Sequence, residues 1–236
     1  MKLAIMQPYF FPSSSYFELI NYVDLWIVYD VSSYIRHGWI NRNRILHASE
    51  KWQYINVPIK SHSHEDKIND ILIAPEIKWK EKIFRQLDIY RKKAPHYNEV
   101  IDLLKICLSD DEKDIALLNT NLLRKVMAAL NIKTELMVFS EMNLNIGKTN
   151  STQELALNIC KAVGAIEYAN RPSGAVQFNE KDFAEEGIKL TIQNKKDMVY
   201  SCNGFNFEPM LSIIDVIMWN SPEEINKYFN SPFIAD

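Results

Sequence analysis

The chain has 236 residues, enough to bury a sizeable core, and its 47% hydrophobic and 24% charged content excludes a disordered chain. Lys and Arg total 27 against 30 Asp and Glu, a formal net charge of −3. That balance excludes a surface given over as a whole to nucleic acid or anionic membrane and leaves room only for a local basic patch.

Six glycines make a Gly-rich phosphate cradle hard to build. Cys107, Cys160 and Cys202 are odd in number and far apart, which reads as reduced, buried thiols rather than a disulfide frame or a zinc site. The apolar start, Met1 to Met6, is too short for a signal peptide, and no uncharged stretch approaches the ~20 residues of a membrane span. The expectation is a soluble, cytoplasmic protein.

Leu3 to Met6 reads as a buried first strand ended by Gln7-Pro8. Pro8 and Pro12 bracket Tyr9-Phe10-Phe11, a loop rather than a strand. Ser13-Ser14-Ser15 can cap a helix with apolar positions Tyr16, Leu19, Ile20 and Val23, and Leu25 to Tyr29 follows as a strand ending at Asp30. Strand, helix, strand is a βαβ unit, expected to be parallel and right-handed. From Tyr34 to Val57 the pattern alternates and reads as β, with residues 47–51 as a connection.

Helices are expected over 79–92, 97–109 and 112–130, the last carrying an apolar stripe and ending at Asn131. Strands are expected over 135–139, 166–169 and 188–192, helices over 151–163, 182–186, 210–219 and 222–229, and a turn at Arg171-Pro172-Ser173-Gly174. The order predicts an α/β fold: a mainly parallel, Rossmann-like sheet flanked by helices, with an α-rich insertion. One domain over 1–236 is expected, with 77–131 as a candidate helical subdomain.

The strongest local feature is Arg36-His37-Gly38-Trp39-Ile40-Asn41-Arg42-Asn43-Arg44. Between Asp30 and Glu50 there is no acidic residue, while three Arg and two His occur. Guanidiniums suit bidentate grip of phosphate or carboxylate, and on a strand Arg42 and Arg44 share a face. Surface arginines paired with remote acids are the plain alternative. Gln7, Tyr9 and the rest of the 7–12 loop lie past the carboxyl end of the first strand, the edge where open parallel sheets bind ligands. An aromatic plug over the core is the alternative there. Asp30, at the same edge, could be a base, a metal ligand or a sugar-hydroxyl acceptor, or could begin a turn.

Gly147-Lys148-Thr149 lacks the glycine of a P-loop, because position 142 is Met. Lys148 is left as a ligand contact or a solvated lysine. Ser173, in Pro172-Ser173-Gly174, could sit beside an anion or in a simple turn. His62-Ser63-His64-Glu65-Asp66 matches no zinc spacing, so no metal site is expected. No GxSxG occurs.

Several segments resemble one known family. They are Ala4-Ile5-Met6-Gln7-Pro8-Tyr9-Phe10-Phe11-Pro12, Tyr16-Phe17, Asp24, Tyr29-Asp30, Trp39-Ile40-Asn41-Arg42-Asn43-Arg44-Ile45, Val57-Pro58, Tyr90, Lys93-Ala94-Pro95, Lys148-Thr149, Pro172-Ser173-Gly174 and Pro209-Met210-Leu211-Ser212-Ile213-Ile214-Asp215. In these the chain is similar to the WbqC-like family over nearly its whole length. Members place Trp and Gly between Pro12 and Tyr16, where this chain has three serines. The resemblance implies genes in O-antigen and other surface or secondary-metabolite sugar clusters, and attachment of an acyl or aminoacyl group to an amino sugar. The Gln-Pro after the first strand also looks like the nucleotidylyltransferase class, whose phosphate-handling His pair is absent here.

The sequence therefore leads to a transferase acting on a nucleotide-linked amino sugar. Arg42 and Arg44 would grip phosphate or a carboxylate, Trp39 would stack on a ring, and Asn41 and Asn43 would bond hydroxyl or amide groups. Gln7 and Tyr9 would line the pocket, with Lys148 and Ser173 as further contacts and Asp30 as the base. The donor must be an activated acyl or aminoacyl group, and no cofactor is specified. The alternative is a non-catalytic ligand- or partner-binding subunit of a sugar-assembly complex, with exposed Tyr9, Phe10 and Phe11 as its interaction patch.

Overall fold

A computed structural model describes residues 1–75, 78–194 and 197–232. Five strands form one sheet in the order β5-β2-β1-β6-β7, every neighbouring pair parallel. They are β1 (Lys2–Met6), β2 (Leu25–Val28), β5 (Glu135–Val138), β6 (Glu167–Asn170) and β7 (Lys189–Ile192). The chain moves outward on one side of β1 through β2 and β5, then crosses back to lay β6 and β7 on the other. The predicted α/β class and the parallel βαβ start are both present, with α1 (Ser14–Tyr22) joining β1 to β2.

Alternate residues of the central strands go to opposite faces, as the pleat requires. Leu3, Ile5, Leu25 and Ile27 pack with Ala156, Ile159 and Cys160 of α5 (Thr152–Val163) and Phe183 of α7 (Glu180–Glu185). Ala4, Trp26 and Val28 face the larger cluster with Tyr16, Phe17 and Ile20 of α1. Both faces are covered, which is why these strands read as continuous apolar runs. α5 ends at Gly164, whose φ of +70° is the left-handed cap that glycine takes at no Cβ cost.

The long connection from β2 to β5 holds the rest of the middle. It contains an antiparallel hairpin, β3 (Arg42–Leu46) with β4 (Trp52–Asn56), and three helices, α2 (Trp79–Leu87), α3 (Tyr97–Cys107) and α4 (Ile115–Ala129). The apolar stripe of α4 joins the same cluster as α1 and the sheet face. The strand expected from Tyr34 begins only at Arg42, because the segment before it turns through His37, whose φ is +60°. The helix expected from Met210 begins at Ile213 (α8, Ile213–Trp219), because Met210 has φ +57° and Ser212 caps the Ile214 N–H. A four-residue helix α6 (Pro172–Ala175) replaces the expected turn, and α9 (Pro222–Phe229) starts with a capping box from Ser221 and Glu224.

The hairpin is anchored from below by a buried polar knot. Asp215 of α8 is 1% exposed and accepts hydrogen bonds from the hydroxyls of Tyr90 (2.5 Å) and Tyr200 (2.6 Å). The Tyr90 oxygen in turn accepts the Leu46 N–H of β3 (2.9 Å). Burial pushes the Asp215 carboxyl up to about 6, against the pull of the two phenol donors. A raised native value means the folded chain binds more protons than the unfolded one between about pH 4 and 6, so this group's contribution to stability falls as pH rises through that window. In urea melts, the wild type should lose stability relative to Asp215→Asn from pH 4 to 6, and the difference should be level above pH 7. A constant difference across that range would mean the carboxyl titrates normally.

Candidate functional site

The 7–12 loop is buried yet irregular, so its carbonyls need partners. The Gln7 carbonyl accepts the Tyr16 hydroxyl (2.7 Å) and the Pro8 carbonyl accepts the Asn119 amide of α4 (2.8 Å). The Phe10 and Phe11 carbonyls both accept the Asn43 amide, at 3.0 and 2.8 Å. Phe11 also receives the Ser212 hydroxyl (2.8 Å), and the Pro12 carbonyl receives the Ile213 N–H (2.8 Å). The loop N–H of Phe10 donates to the Trp39 carbonyl (2.9 Å). These bonds hold Phe11 at φ +39°, a conformation that costs a Cβ-bearing residue about 1–3 kcal/mol.

Pinned in this way, the loop forms one wall of a crevice of about 720 Å3 at the carboxyl ends of β1 and β6. The strand order reverses between these two strands, the place where open α/β sheets hold ligands. Hydroxyl and amide groups line it, among them Gln7, Ser32, Asn150, Asn170 and Ser173, together with the rings of Tyr9 and Tyr29. No Asp, Glu, His, Lys, Arg or Cys is among its described lining residues. Gly174 is required beside Asn170: a Cβ there would lie 2.8 Å from the Asn170 Oδ1, which holds the Arg171 N–H.

Tyr9 also lines a smaller pocket of about 220 Å3, shared with Trp39, Arg44, Arg171 and Met210. Its described lining residues include two guanidiniums and no carboxylate. Arg44 lies over the rings of Trp52 (5.0 Å) and Trp39 (5.5 Å) and donates to the Met210 carbonyl (3.2 Å), while its buried Nε has no hydrogen-bond partner among the described residues. Arg171 follows β6 and donates to the Ser15 hydroxyl at the start of α1 (3.0 Å). Burial lowers its pKa, while Tyr9, Tyr16 and Asp197 act to raise it. Burial raises the Tyr9 hydroxyl, and the Arg171 charge counters it.

The sequence pattern of the WbqC-like protein family matches residues 7–227. The chain belongs to this family. It is 34% identical over 222 residues to the uncharacterized protein Rv1507c of Mycobacterium tuberculosis, covering 92% of each chain. No solved structure matches it significantly. The matched span of the WbqC-like family includes the loop, the hairpin and Arg171, hence every wall of the small pocket.

The structure brings Gln7, Tyr9 and Ser173 to the crevice, and Trp39, Asn43 and Arg44 to the small pocket beside it. Arg42 and Arg44 share a face of β3 as expected, yet they do not converge: Arg42 turns over Tyr54 (4.3 Å) and lines a different hollow. Asn43 is 4% exposed and both its amide hydrogens go to the loop, so its work is structural. Asn41 is likewise engaged, donating to the Val57 carbonyl and accepting from the Tyr34 hydroxyl. Lys148 is exposed and outside the crevice lining, which begins at Thr149.

Two expectations are corrected. Asp30 is 3% exposed and its carboxylate accepts the Ser140 N–H (3.1 Å), the Ser140 hydroxyl (2.5 Å) and the Asn69 amide (3.3 Å). It clasps three segments and lines neither cavity, so it is not placed to act as a base. Phe10 and Phe11 are 0% and 1% exposed, because their rings pack edge-to-face on each other (4.9 Å), with Phe10 against Trp79 (6.4 Å), so they form no surface patch. Arg171 was missed: its tetrapeptide reads as a turn, although its place just past a strand's carboxyl end was a usable signal.

The latch is testable. Asn43→Ala removes the donor to two buried carbonyls, and urea unfolding should show a loss of about 2–4 kcal/mol. A loss under 0.5 kcal/mol would mean the loop is held without it.

Proposed function

We propose that this protein binds a nucleotide-linked amino sugar and transfers an activated acyl or aminoacyl group onto its amine. One observation carries the reading: Tyr9 lines both the neutral, hydroxyl-rich crevice and the two-arginine pocket. A ligand that spans them needs a polyhydroxylated part and an anionic part, which is the make-up of a nucleotide-linked sugar. Phosphate would sit between Arg44 and Arg171, where guanidinium forks suit its oxygens. The sugar would lie in the crevice against Gln7, Asn170 and Ser173. The WbqC-like resemblance to sugar-cluster proteins agrees with this substrate class.

In the transfer, the amine lone pair attacks the acyl carbonyl carbon. A C–N bond forms, the bond to the donor's leaving group breaks, and the amine's proton departs with that group. The described lining of the crevice offers no carboxylate or imidazole for the proton. The reaction then depends on the donor's own activation and on holding the two reactants together, an effect able to supply about 7–11 kcal/mol.

That same lack of carboxylate and imidazole groups among the described lining favours a second reading, a non-catalytic subunit that holds the sugar for a partner enzyme. The two differ in turnover. Incubation with an amino-sugar nucleotide and an acyl thioester, adenylate or aminoacyl-tRNA should give N-acylated product under the first reading and only binding under the second.

Both readings need the anion grip. A nucleotide-linked amino sugar at 100 times its Kd should stabilise the chain by about 2.7 kcal/mol in a thermal-shift series. Arg44→Ala and Arg171→Ala should each weaken binding by about 10–100-fold, as expected for a lost charge-assisted bond of about 1.5–3 kcal/mol. Unchanged affinity in both variants would remove the reading.

A further inference from the structure

A basic hollow of about 500 Å3 adjoins the crevice through the 32–37 segment. Ser32 and Ile35 of that segment line the crevice, while Tyr34, Arg36 and His37 line the hollow. Arg42, Lys60 and His62 complete its basic lining, and no Asp or Glu takes part. Among the described residues no ion pair engages Arg36, Arg42 or Lys60; the lysines in ion pairs there are Lys80, Lys105, Lys125 and Lys161. The nearby Asp66 turns its carboxylate to the Ser63 N–H of its own loop (2.8 Å).

This is a built site rather than loose surface charge. The Arg42 Nε donates to the Gly38 carbonyl (3.3 Å), a terminal nitrogen donates to the His37 carbonyl, and the guanidinium lies over Tyr54. The His37 carbonyl is presented by a backbone at φ +60°, as the Met210 carbonyl that holds Arg44 is presented at φ +57°. Strained backbone of this kind persists where the surroundings over-determine it and collects at ligand sites. Tyr34 is buried, its hydroxyl donating to Asn41 (2.8 Å) and its ring meeting His62 at 4.6 Å. Burial raises that hydroxyl while the charges of Arg42 and Arg36 lower it, so both guanidiniums act on one atom. Like charges gathered without a carboxylate repel, and a multivalent anion relieves that repulsion.

We propose that this hollow binds the phosphates of a diphosphate-bearing small molecule, the activated acyl donor. Acceptor phosphate then sits on the Arg44–Arg171 side of the crevice and donor phosphate on the Arg36–Arg42 side. The assignment to the donor rests on the transfer reading above; the anion site itself does not. A small molecule is favoured over RNA because the chain carries net charge −3 and the basic lining stops at a concave hollow, with Glu65 and Asp66 following directly on His62 to His64.

The test is a titration of inorganic pyrophosphate into isotope-labelled protein, followed by backbone amide NMR. Saturable shifts are expected at residues 34–37 and 59–62. The double variant Arg36→Ala/Lys60→Ala, both exposed positions that leave the fold alone, should raise the Kd at least tenfold. Arg44→Ala should leave those shifts unchanged. Shifts confined to the surroundings of Arg44 and Arg171, a failure to saturate, or equal affinity in the double variant would overturn the site. A short single-stranded RNA that displaces pyrophosphate at a hundredfold lower concentration would overturn the small-molecule assignment. Nucleotide-sugar binding is measured in the same double variant: retained binding with lost pyrophosphate supports two separate sites. Pyrophosphate binding by a chain that turns over no donor removes only the donor role.

Discussion

Two hydrogens on one side-chain amide organise the site. Asn43, on the inward face of β3, donates to the successive carbonyls of Phe10 and Phe11 and so welds the loop after β1 to the hairpin. Each of these groups is buried, where an unpaired carbonyl costs about 1–3 kcal/mol. The bond pair also holds Phe11 in its left-handed conformation, with Ser212 as a second donor. With the loop fixed, Tyr9 is placed between crevice and cationic pocket. Ser212 in turn heads α8, whose Asp215 reaches back through Tyr90 to the Leu46 N–H of the same hairpin. The loop, the hairpin and α8 are one closed circuit of buried polar bonds.

The second organising feature is positive charge in two recesses that have no carboxylate among their described lining residues. β3 projects Arg42 and Arg44 from one face, and aromatic rings with strained carbonyls direct them to different cavities. Arg171, just past the end of β6, joins Arg44 in the small pocket. A neutral crevice flanked by two cationic recesses differs from a uniformly basic surface: the guanidiniums lie in the recesses, and hydroxyls and amides line the crevice.

The parallel sheet was legible because its strands are buried on both faces and its helices carry clear periodicity and caps. Leu3, Ile5, Leu25 and Ile27 are apolar for one face, and Ala4, Trp26 and Val28 for the other. The segment between Pro8 and Pro12 was legible as a loop past the carboxyl end of β1, which places Tyr9 at the crevice. The hydrogen-bond partners of Asn41, Asn43 and Asp30 were not, because a polar residue that satisfies backbone has the same letter as one that faces a ligand. Asn119 is the sharpest case. It sits within an apolar stripe on α4 and bridges the Pro8 and Ile40 carbonyls, contacts that no local pattern encodes. The divergence of Arg42 and Arg44 was equally hidden. Alternation gives the face of a strand, while Tyr54, Trp52 and the carbonyls of His37 and Met210 decide where each side chain ends.

The most direct measurement is a crystal structure of the chain with a nucleotide-linked amino sugar bound. The account predicts phosphate oxygens between the guanidiniums of Arg44 and Arg171, the Tyr9 ring against the linkage, and the sugar in the crevice beside Gln7 and Asn170. A ligand lying elsewhere, with both guanidiniums facing water, would contradict it.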